Sequence, residues 1–483
     1  MAELIRPDIC VIGAGPAGAA AAAAASSFGA SIVLVEKADM GGETLRHNGA
    51  VPAQALLAAA TRVQAVRSGG SFGLKVPRFA ADFTALNAQI GAVVATLAPN
   101  VSKERFIGLG VRVVKGAARF SDADTVLVDD TAIKADRFIV ATGSSPRIPA
   151  VPGLIEAPHL TAATLSDLTR LPRHLVVIGA GAIGLALAQA FRRFGAEVTV
   201  LEAAEPLAGE DRECVGVLLD ALEREGVKLR TGVEIAKVTR SLGNLRVVLA
   251  RPGDDAVISA DAGGESIDAS HLLVAAGRRP NIDDLDLDAA GVRRDPHGIV
   301  VDANLMTSNK RVYAVGGVAG ASSTHAATHQ ARVAVRHALS RAGEADHSAA
   351  VPRVIYTDPQ LAQVGLVETQ APSGEGRLRV LRWPYRENDR AQSERTTAGH
   401  IKVVTDAKGD ILGATIVGAQ AAESIAAWTL AIDHKLNIRD LADLVVPYPS
   451  FAEIGQRAAM SYFAHGLTSR RGRRIMAWLR HFG

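Results

Sequence analysis

The chain has 483 residues, roughly three times the usual domain length, so it must fold as several domains, each with its own core. Apolar residues make up 48%, charged residues 21%, and there are 46 glycines, a composition that excludes disorder as the main state and suits a globular α/β protein. The net charge of +3 excludes a general nucleic-acid binder, and two cysteines, Cys10 and Cys214, can build neither a disulfide framework nor a cysteine metal site. The Ala-rich run after Gly18 is broken by Ser26 and Ser27 and has no basic leader, so it reads as a buried helix rather than a signal peptide. No segment approaches the ~20 clean apolar residues of a membrane span, and the expectation is a cytoplasmic protein.

In chain order, the apolar run Ile9 to Ile12 is followed by Gly13-Ala-Gly15-Pro-Ala-Gly18 and by a second run at 31–35 that ends in Glu36, which is one βαβ unit. The pattern recurs at 175–202, with Gly179-Ala-Gly181-Ala-Ile-Gly184 and a run ending in Glu202. In both copies the acid lies 23 positions after the first glycine. The first glycine permits the tight turn, the second lets the backbone approach a pyrophosphate, and the third allows close helix packing. The helix N-terminus then receives the phosphate charge, and Glu36 and Glu202 are placed to accept ribose hydroxyls. A carboxylate at Glu202 would repel a 2′-phosphate, which favours NAD over NADP; Arg192 and Arg193 read as a solvated helix face.

Pro146, Pro149 and Pro152 form a linker into the second unit and Gly277-Arg-Arg-Pro280 closes it, so 153–275 reads as an inserted domain. The strand-like stretch 312–315, the Gly316-Gly317 turn and a His-bearing helix return the chain to the first domain. His325 and His329 are spaced i, i+4 on that helix without an accompanying carboxylate, so no metal site is expected. After Pro352, the runs 401–404 and 411–417 and the helical stretch 421–435 mark a separate α+β domain. The tail 468–483 carries Arg470, Arg471, Arg473, Arg474 and Arg480 among Ile475, Met476, Trp478, Leu479 and Phe482. It reads either as a solvated tail or dimer-edge helix, or as an interfacial helix making peripheral membrane contact.

These motifs, with Glu36-Lys37, Gly41-Gly42, Ala141-Thr-Gly143, Ala276-Gly-Arg-Arg-Pro-Asn281, Tyr313-Ala-Val-Gly316, Thr357-Asp-Pro-Gln360, Gly413-Ala-Thr and residues 449–453, resemble the FAD-dependent pyridine nucleotide-disulfide oxidoreductases, the group of lipoamide dehydrogenase, glutathione reductase and mercuric reductase. The resemblance implies an α/β protein with two Rossmann-like dinucleotide-binding domains, for FAD and NAD, plus a C-terminal α+β dimerisation domain that makes a homodimer. The expected boundaries are 1–152 and 276–349 for the FAD domain, 153–275 for the NAD domain, 350–467 for the dimerisation domain and 468–483 for the tail. It implies that FAD is held by Gly13, Gly15, Gly18, Glu36, Lys37, Gly42, Thr142, Gly143, Gly316 and Gly317. The nicotinamide cofactor falls to Gly179, Gly181, Gly184, Glu202 and Gly277.

The departures bear on function. Where the resemblance places a redox-active Cys pair, this chain has Thr44 and Ala50, which can form neither a disulfide nor a thiolate. The family's Lys and Glu ion pair by the flavin corresponds to Gln54 and Ala186, lost together. The family's catalytic His is Tyr448, its partner acid survives as Glu453, and Tyr448 can donate a hydrogen bond but is a poor base at neutral pH. The family's Gly-Asp at the flavin ribityl chain is Gly316-Gly317. His47 lies in the altered loop. The expected activity is an FAD-dependent NAD(P)H oxidoreductase that passes electrons directly to a non-disulfide small-molecule acceptor, such as a quinone. Two alternatives stand beside it, a soluble transhydrogenase-like enzyme and a non-catalytic FAD-binding scaffold dimer.

Overall fold

The computed structural model describes residues 3–42, 49–77, 79–165, 168–241, 244–250, 265–340, 350–370 and 378–467. Thr44, His47 and the tail 468–483 lie outside the described residues. The chain forms two compact units, Met1–Ala203 with Arg230–His347, and Ala204–Leu229 with Ser348–Gly483. After a short strand Glu3–Ile5, the first unit includes β1 (Ile9–Ile12), α1 (Pro16–Ser27), β2 (Ile32–Glu36), α2 (Ala50–Ser68), α3 (Phe83–Leu97), β3 (Arg112–Lys115), β4 (Arg137–Val140) and β5 (Ser144–Pro146). It continues through β6 (His174–Ile178), α4 (Ala182–Phe194) and β7 (Glu197–Glu202). After α5 (Arg212–Arg224), which belongs to the second unit, come β8 (His271–Val274), β9 (Arg278–Pro280), β10 (Val312–Ala314) and α6 (Thr324–Ser340).

All four residues of β1 are buried, as a strand covered on both faces requires. It pairs in parallel with β2 and β4, giving the order β10-β4-β1-β2-β3. Ile9 and Val11 pack toward the Ala-rich α1 and α6, while Cys10 and Ile12 face the opposite core with Phe120 and Phe138. Burial there pushes the Cys10 thiol far up, which keeps it uncharged. In the second sheet β6 takes the same central place, between β7 and β8. Each central strand therefore has its sequence neighbour on one side and a later strand on the other, and the crevice opens where the order reverses. The two chain crossings between these sheets, β5 and β9, lie antiparallel with Ser144 opposite Pro280. No described helix is long and apolar enough to cross a membrane.

The second unit contains, after α5, β11 (Arg353–Ile355), β12 (Gln360–Gly365), β13 (Arg379–Pro384), α7 (Asp389–Glu394), β14 (His400–Thr405), β15 (Ile411–Gly418), α8 (Ala421–Asp433) and α9 (Glu453–Leu467). Its antiparallel sheet has the order β11-β12-β15-β14-β13. Alternation along the strands divides the two faces. Ala362, Val364, Ile401, Val403, Ala414 and Ile416 build one apolar core with Trp428 and Ile454 from the covering helices. On the other parity, Gln363, Thr415, Lys402 and Arg382 stand opposite one another in register across four strands.

Gln363, Thr415 and Lys402 of that row are buried on the face toward α5, and Arg382 at its end is exposed. Lys402 is 5% exposed, and its Nζ lies 2.8 Å from Asp211 Oδ2, 2.8 Å from Glu368 Oε2 and 3.3 Å from Glu213 Oε2. Asp211 in turn caps α5, its Oδ1 accepting the N–H groups of Glu213 and Cys214, while its own N–H donates to Gln363 Oε1 at 3.0 Å. Cys214 Sγ sits 3.5 Å from His400 Nε2, and burial pushes the thiol up and the imidazole down. Removing the cation strands Asp211 in a site it cannot leave. Lys402→Met is expected to cost about 3–5 kcal/mol in urea denaturation, and Asp211→Asn in that background to recover part of it. A loss from Lys402→Met within the ±0.5 kcal/mol range of ordinary surface changes would contradict the assignment of the cluster as a buried charge network.

Candidate functional site

The first glycine loop is shaped by contacts that leave no room for side chains. Gly13 has φ +100°, and a Cβ there would fall 2.6 Å from Ala141 O; a Cβ on Gly18 would fall 1.8 Å from Gly13 O. Gly15, between them, has nothing within 4 Å of where its Cβ would be. The outer glycines thus let β1, β4 and α1 close on one another, and the middle one opens onto the crevice. Gly15 is also the N-cap of α1, with no side chain on the cap and no acid in the first turn. The free N–H groups of that turn and the helix dipole suit a diphosphate. Glu36, at the end of β2, accepts the Ala14 N–H on Oε2 at 2.7 Å and the Ala38 N–H on Oε1 at 2.8 Å.

The second loop repeats this geometry. Gly179 has φ +109° with its virtual Cβ 2.5 Å from Ala275 O, Gly184 meets Gly179 O at 2.1 Å, and Gly181 is open. Gly181 caps α4, again without a side-chain cap or a first-turn acid. Glu202 Oε2 accepts the Ala180 N–H at 2.7 Å. Arg193 is 4% exposed, so the expected solvated face is wrong for that residue; it lies in the last turn of α4, where a cation complements the helix C-terminus.

Other residues singled out from the sequence converge on the first loop. A Cβ on Gly42 would lie 2.8 Å from Gly15 Cα, and the Gly41 N–H donates to Ala14 O, so this segment rests on the glycine loop. Gly316 packs on Ala17, and a Cβ on Gly317 would meet Ser144 Oγ at 2.6 Å. Thr142 Oγ1 donates to Asn281 O at 2.7 Å, and Asn281 returns its side-chain amide to Thr142 O at 3.0 Å, which ties the ends of β4 and β9 together. Gly143 and Gly277 have open space before them. Lys37 instead points to the surface, 3.8 Å from Asp284. The residues present therefore fit the diphosphate of a dinucleotide such as FAD or NAD in each crevice.

Ala50 is the first residue of α2, Gln54 is exposed in its first turn, and Ala186 is buried on α4, against which α2 packs. In the second unit Tyr448 is 70% exposed and its hydroxyl donates to Asp389 Oδ2 at 2.7 Å. Glu453 is buried and its Oε1 accepts from Arg457 Nη2 at 2.7 Å. The structure does not join Tyr448 and Glu453 as a hydrogen-bonded pair. Two residues of these sites were not visible in the sequence. Gln330 accepts the Gly316 N–H on Oε1 at 2.8 Å, beneath the Gly316-Gly317 turn. Asp389 holds Tyr448 from 59 positions away, and the only local signal was the Asn388-Asp389 start of a short helix.

Residues 7–338 match the pyridine nucleotide-disulphide oxidoreductase family and residues 351–459 its dimerisation domain. A dihydrolipoyl dehydrogenase from Thermus scotoductus is 36% identical over 454 residues, covering 92% of this chain and 95% of that one. A mercuric reductase from Lysinibacillus sphaericus is 32% identical over 459 residues, covering 94% and 82%. LpdA from Mycobacterium tuberculosis, a solved structure, superposes with TM-score 0.83 at 25% identity, covering 95% of this chain and 99% of that one. The chain belongs to the pyridine nucleotide-disulphide oxidoreductase family, as an FAD-dependent enzyme with NAD(P)H as its pyridine nucleotide.

Substitutions at the third glycine of each loop test the two cofactor sites separately. Gly18→Ala should leave a folded chain that purifies without flavin, whereas Gly184→Ala should retain flavin and lose its reduction by NADH. Flavin absorbance per chain, with circular dichroism as the folding control, checks the first; anaerobic bleaching by NADH checks the second. Full flavin content in Gly18→Ala would show that the first loop is not the FAD site.

Proposed function

For this member of the family we propose an NAD(P)H oxidoreductase that passes electrons from bound FAD directly to a non-disulfide acceptor, a quinone or another small oxidant. The carrying observation is that no cysteine stands between Gly41 and Ser68, the stretch where the sequence resemblance sets Thr44 and Ala50 against the family's redox pair. Cys10 and Cys214 are both buried with thiols pushed up, so neither supplies a thiolate. FAD, when bound, takes a hydride from the nicotinamide and can release its electrons to acceptors without a thiol relay. NADH, a proton and a quinone then give NAD⁺ and the hydroquinone.

The chain's own groups divide the work. Residues 13–18 and the end of β2 hold the flavin dinucleotide, with residues 1–152 and 276–349 as its domain. Residues 179–184 and Glu202 hold the nicotinamide dinucleotide in the domain 153–275. Glu202 supports NAD over NADP, because a carboxylate repels the extra phosphate. Tyr448 takes the place of the family's His in the dimerisation domain, 350–467, and puts an uncharged hydroxyl where a base is no longer required. The composition of residues 468–483 supports a peripheral membrane contact for a lipid quinone, which sedimentation with anionic liposomes, with and without that stretch, decides.

Anaerobic stopped-flow mixing tests the reading. NADH should reduce the flavin at least about tenfold faster than NADPH, a difference of ~1.4 kcal/mol, and quinones should reoxidise it. Lipoamide, glutathione disulfide and mercuric ion should not turn over. Turnover of any of these three would overturn the non-disulfide assignment, and equal or faster reduction by NADPH would overturn the NAD preference.

A further inference from the structure

We infer that Asp389, not Glu453, is the positioning residue for Tyr448, and that it turns the Tyr448 hydroxyl into a hydrogen-bond acceptor for the electron-accepting substrate or its product. The inference rests on the reading that Tyr448 faces that substrate. Three observations in the second unit carry it.

The first is how the Tyr448 loop is held. Asn388 is fully buried, caps α7 by accepting the Ala391 N–H at 2.9 Å, and donates its side-chain amide to Ser450 O at 2.9 Å. Asp389 follows it and accepts the Tyr448 hydroxyl at 2.7 Å. Two adjacent side chains thus hold one loop, Asn388 by the backbone and Asp389 by the hydroxyl. The base is rigid: the Tyr385 ring fills the space a Cβ on Gly418 would need, 2.3 Å away, its hydroxyl donates to Ala419 O, and it packs beside Phe451.

The second observation is where Glu453 points. Its Oε1 accepts from both Nε and Nη2 of Arg457, one turn along α9, and its buried Oε2 has no partner among the described residues. None of its hydrogen bonds reaches Tyr448. The third is the charge around the phenol. Asp389 from α7 and Glu453 from α9 push its pKa up, the hydrogen bond to Asp389 most of all, and Arg457 pulls it down. Tyr448 therefore stays protonated at neutral pH.

A phenol has one hydrogen. With that hydrogen given to a carboxylate, Tyr448 presents lone pairs, so it receives a bond from an O–H or N–H and does not protonate the acceptor. Its complement is a hydroxyl-bearing ligand, such as a hydroxylated quinone or the hydroquinone product, and the proton of the reaction comes from solvent. Tyr448 does donate, as the sequence led one to expect, but to Asp389 within the protein.

The test compares Asp389→Asn, Glu453→Gln and Tyr448→Phe in the FAD-loaded protein. Ultraviolet titration of tyrosinate should show one phenol, missing in Tyr448→Phe, that titrates clearly lower in Asp389→Asn and moves much less in Glu453→Gln. Reoxidation of the NADH-reduced protein is measured separately from its reduction, with menadione and with a hydroxylated naphthoquinone. The unsubstituted protein should prefer the hydroxylated quinone several-fold; Asp389→Asn should erase that preference and have no further effect in a Tyr448→Phe background. A phenol that moves in Glu453→Gln instead, or an Asp389→Asn effect that persists without the Tyr448 hydroxyl, overturns the inference. Failure of NADH to reduce the flavin would count against the proposed function alone, because the phenol titration still decides the pairing.

Discussion

A carboxylate at the end of the second strand, holding the N–H of the residue between two loop glycines, is the constraint on which both nucleotide crevices depend. Glu36 holds Ala14 and Glu202 holds Ala180, each at 2.7 Å. A hydrogen bond to a charged acceptor contributes roughly 1.5–3 kcal/mol, enough to fix a turn that would otherwise sample several conformations. With the turn fixed, the first glycine must lie against the carbonyl of a third strand and the last against the first, at 2.6 and 1.8 Å for the virtual Cβ atoms in one loop and 2.5 and 2.1 Å in the other. Helix direction follows from that packing, and the anion site follows from helix direction. Two loops with the same glycine pattern and acid spacing reach the same geometry among different neighbours.

The second unit is organised by a different rule. Its sheet hides a lysine and a glutamine on the face toward α5, and the polar row works only because the register sets Gln363, Thr415 and Lys402 side by side and Asp211 closes its end. The same unit carries Tyr448 with its carboxylate partner Asp389 on α7. On the proposed reading, the departures belong together: an acceptor that needs no thiol needs no base to activate one, and no ion pair to tune the exchange. The cofactor loops, by contrast, keep every glycine the geometry demands.

Much of this was legible beforehand. Spacing of 23 between glycine and acid, repeated, located both crevices, and apolar runs marked β1, β2, β6 and β7 to within a residue. Strand alternation could not reveal the role of Lys402, because a lysine between Ile401 and Val403 reads as the solvent face of an edge until register and α5 are known. Arg193 is hidden from composition for a related reason, because nothing local marks that it is buried while Arg192 beside it is only partly so. The Tyr448 partner was hidden by distance along the chain, whereas the Glu453 to Arg457 pair, spaced i, i+4, was readable in principle.

The central claim is that electrons leave the flavin without a thiol relay. An anaerobic reductive titration of the FAD-loaded protein, followed by flavin absorbance, addresses it directly. The account predicts an endpoint of about two electrons per chain with no long-wavelength thiolate-to-flavin band, since a redox-active disulfide would add a further two-electron couple. An endpoint near four electrons, or the appearance of that band, would contradict it.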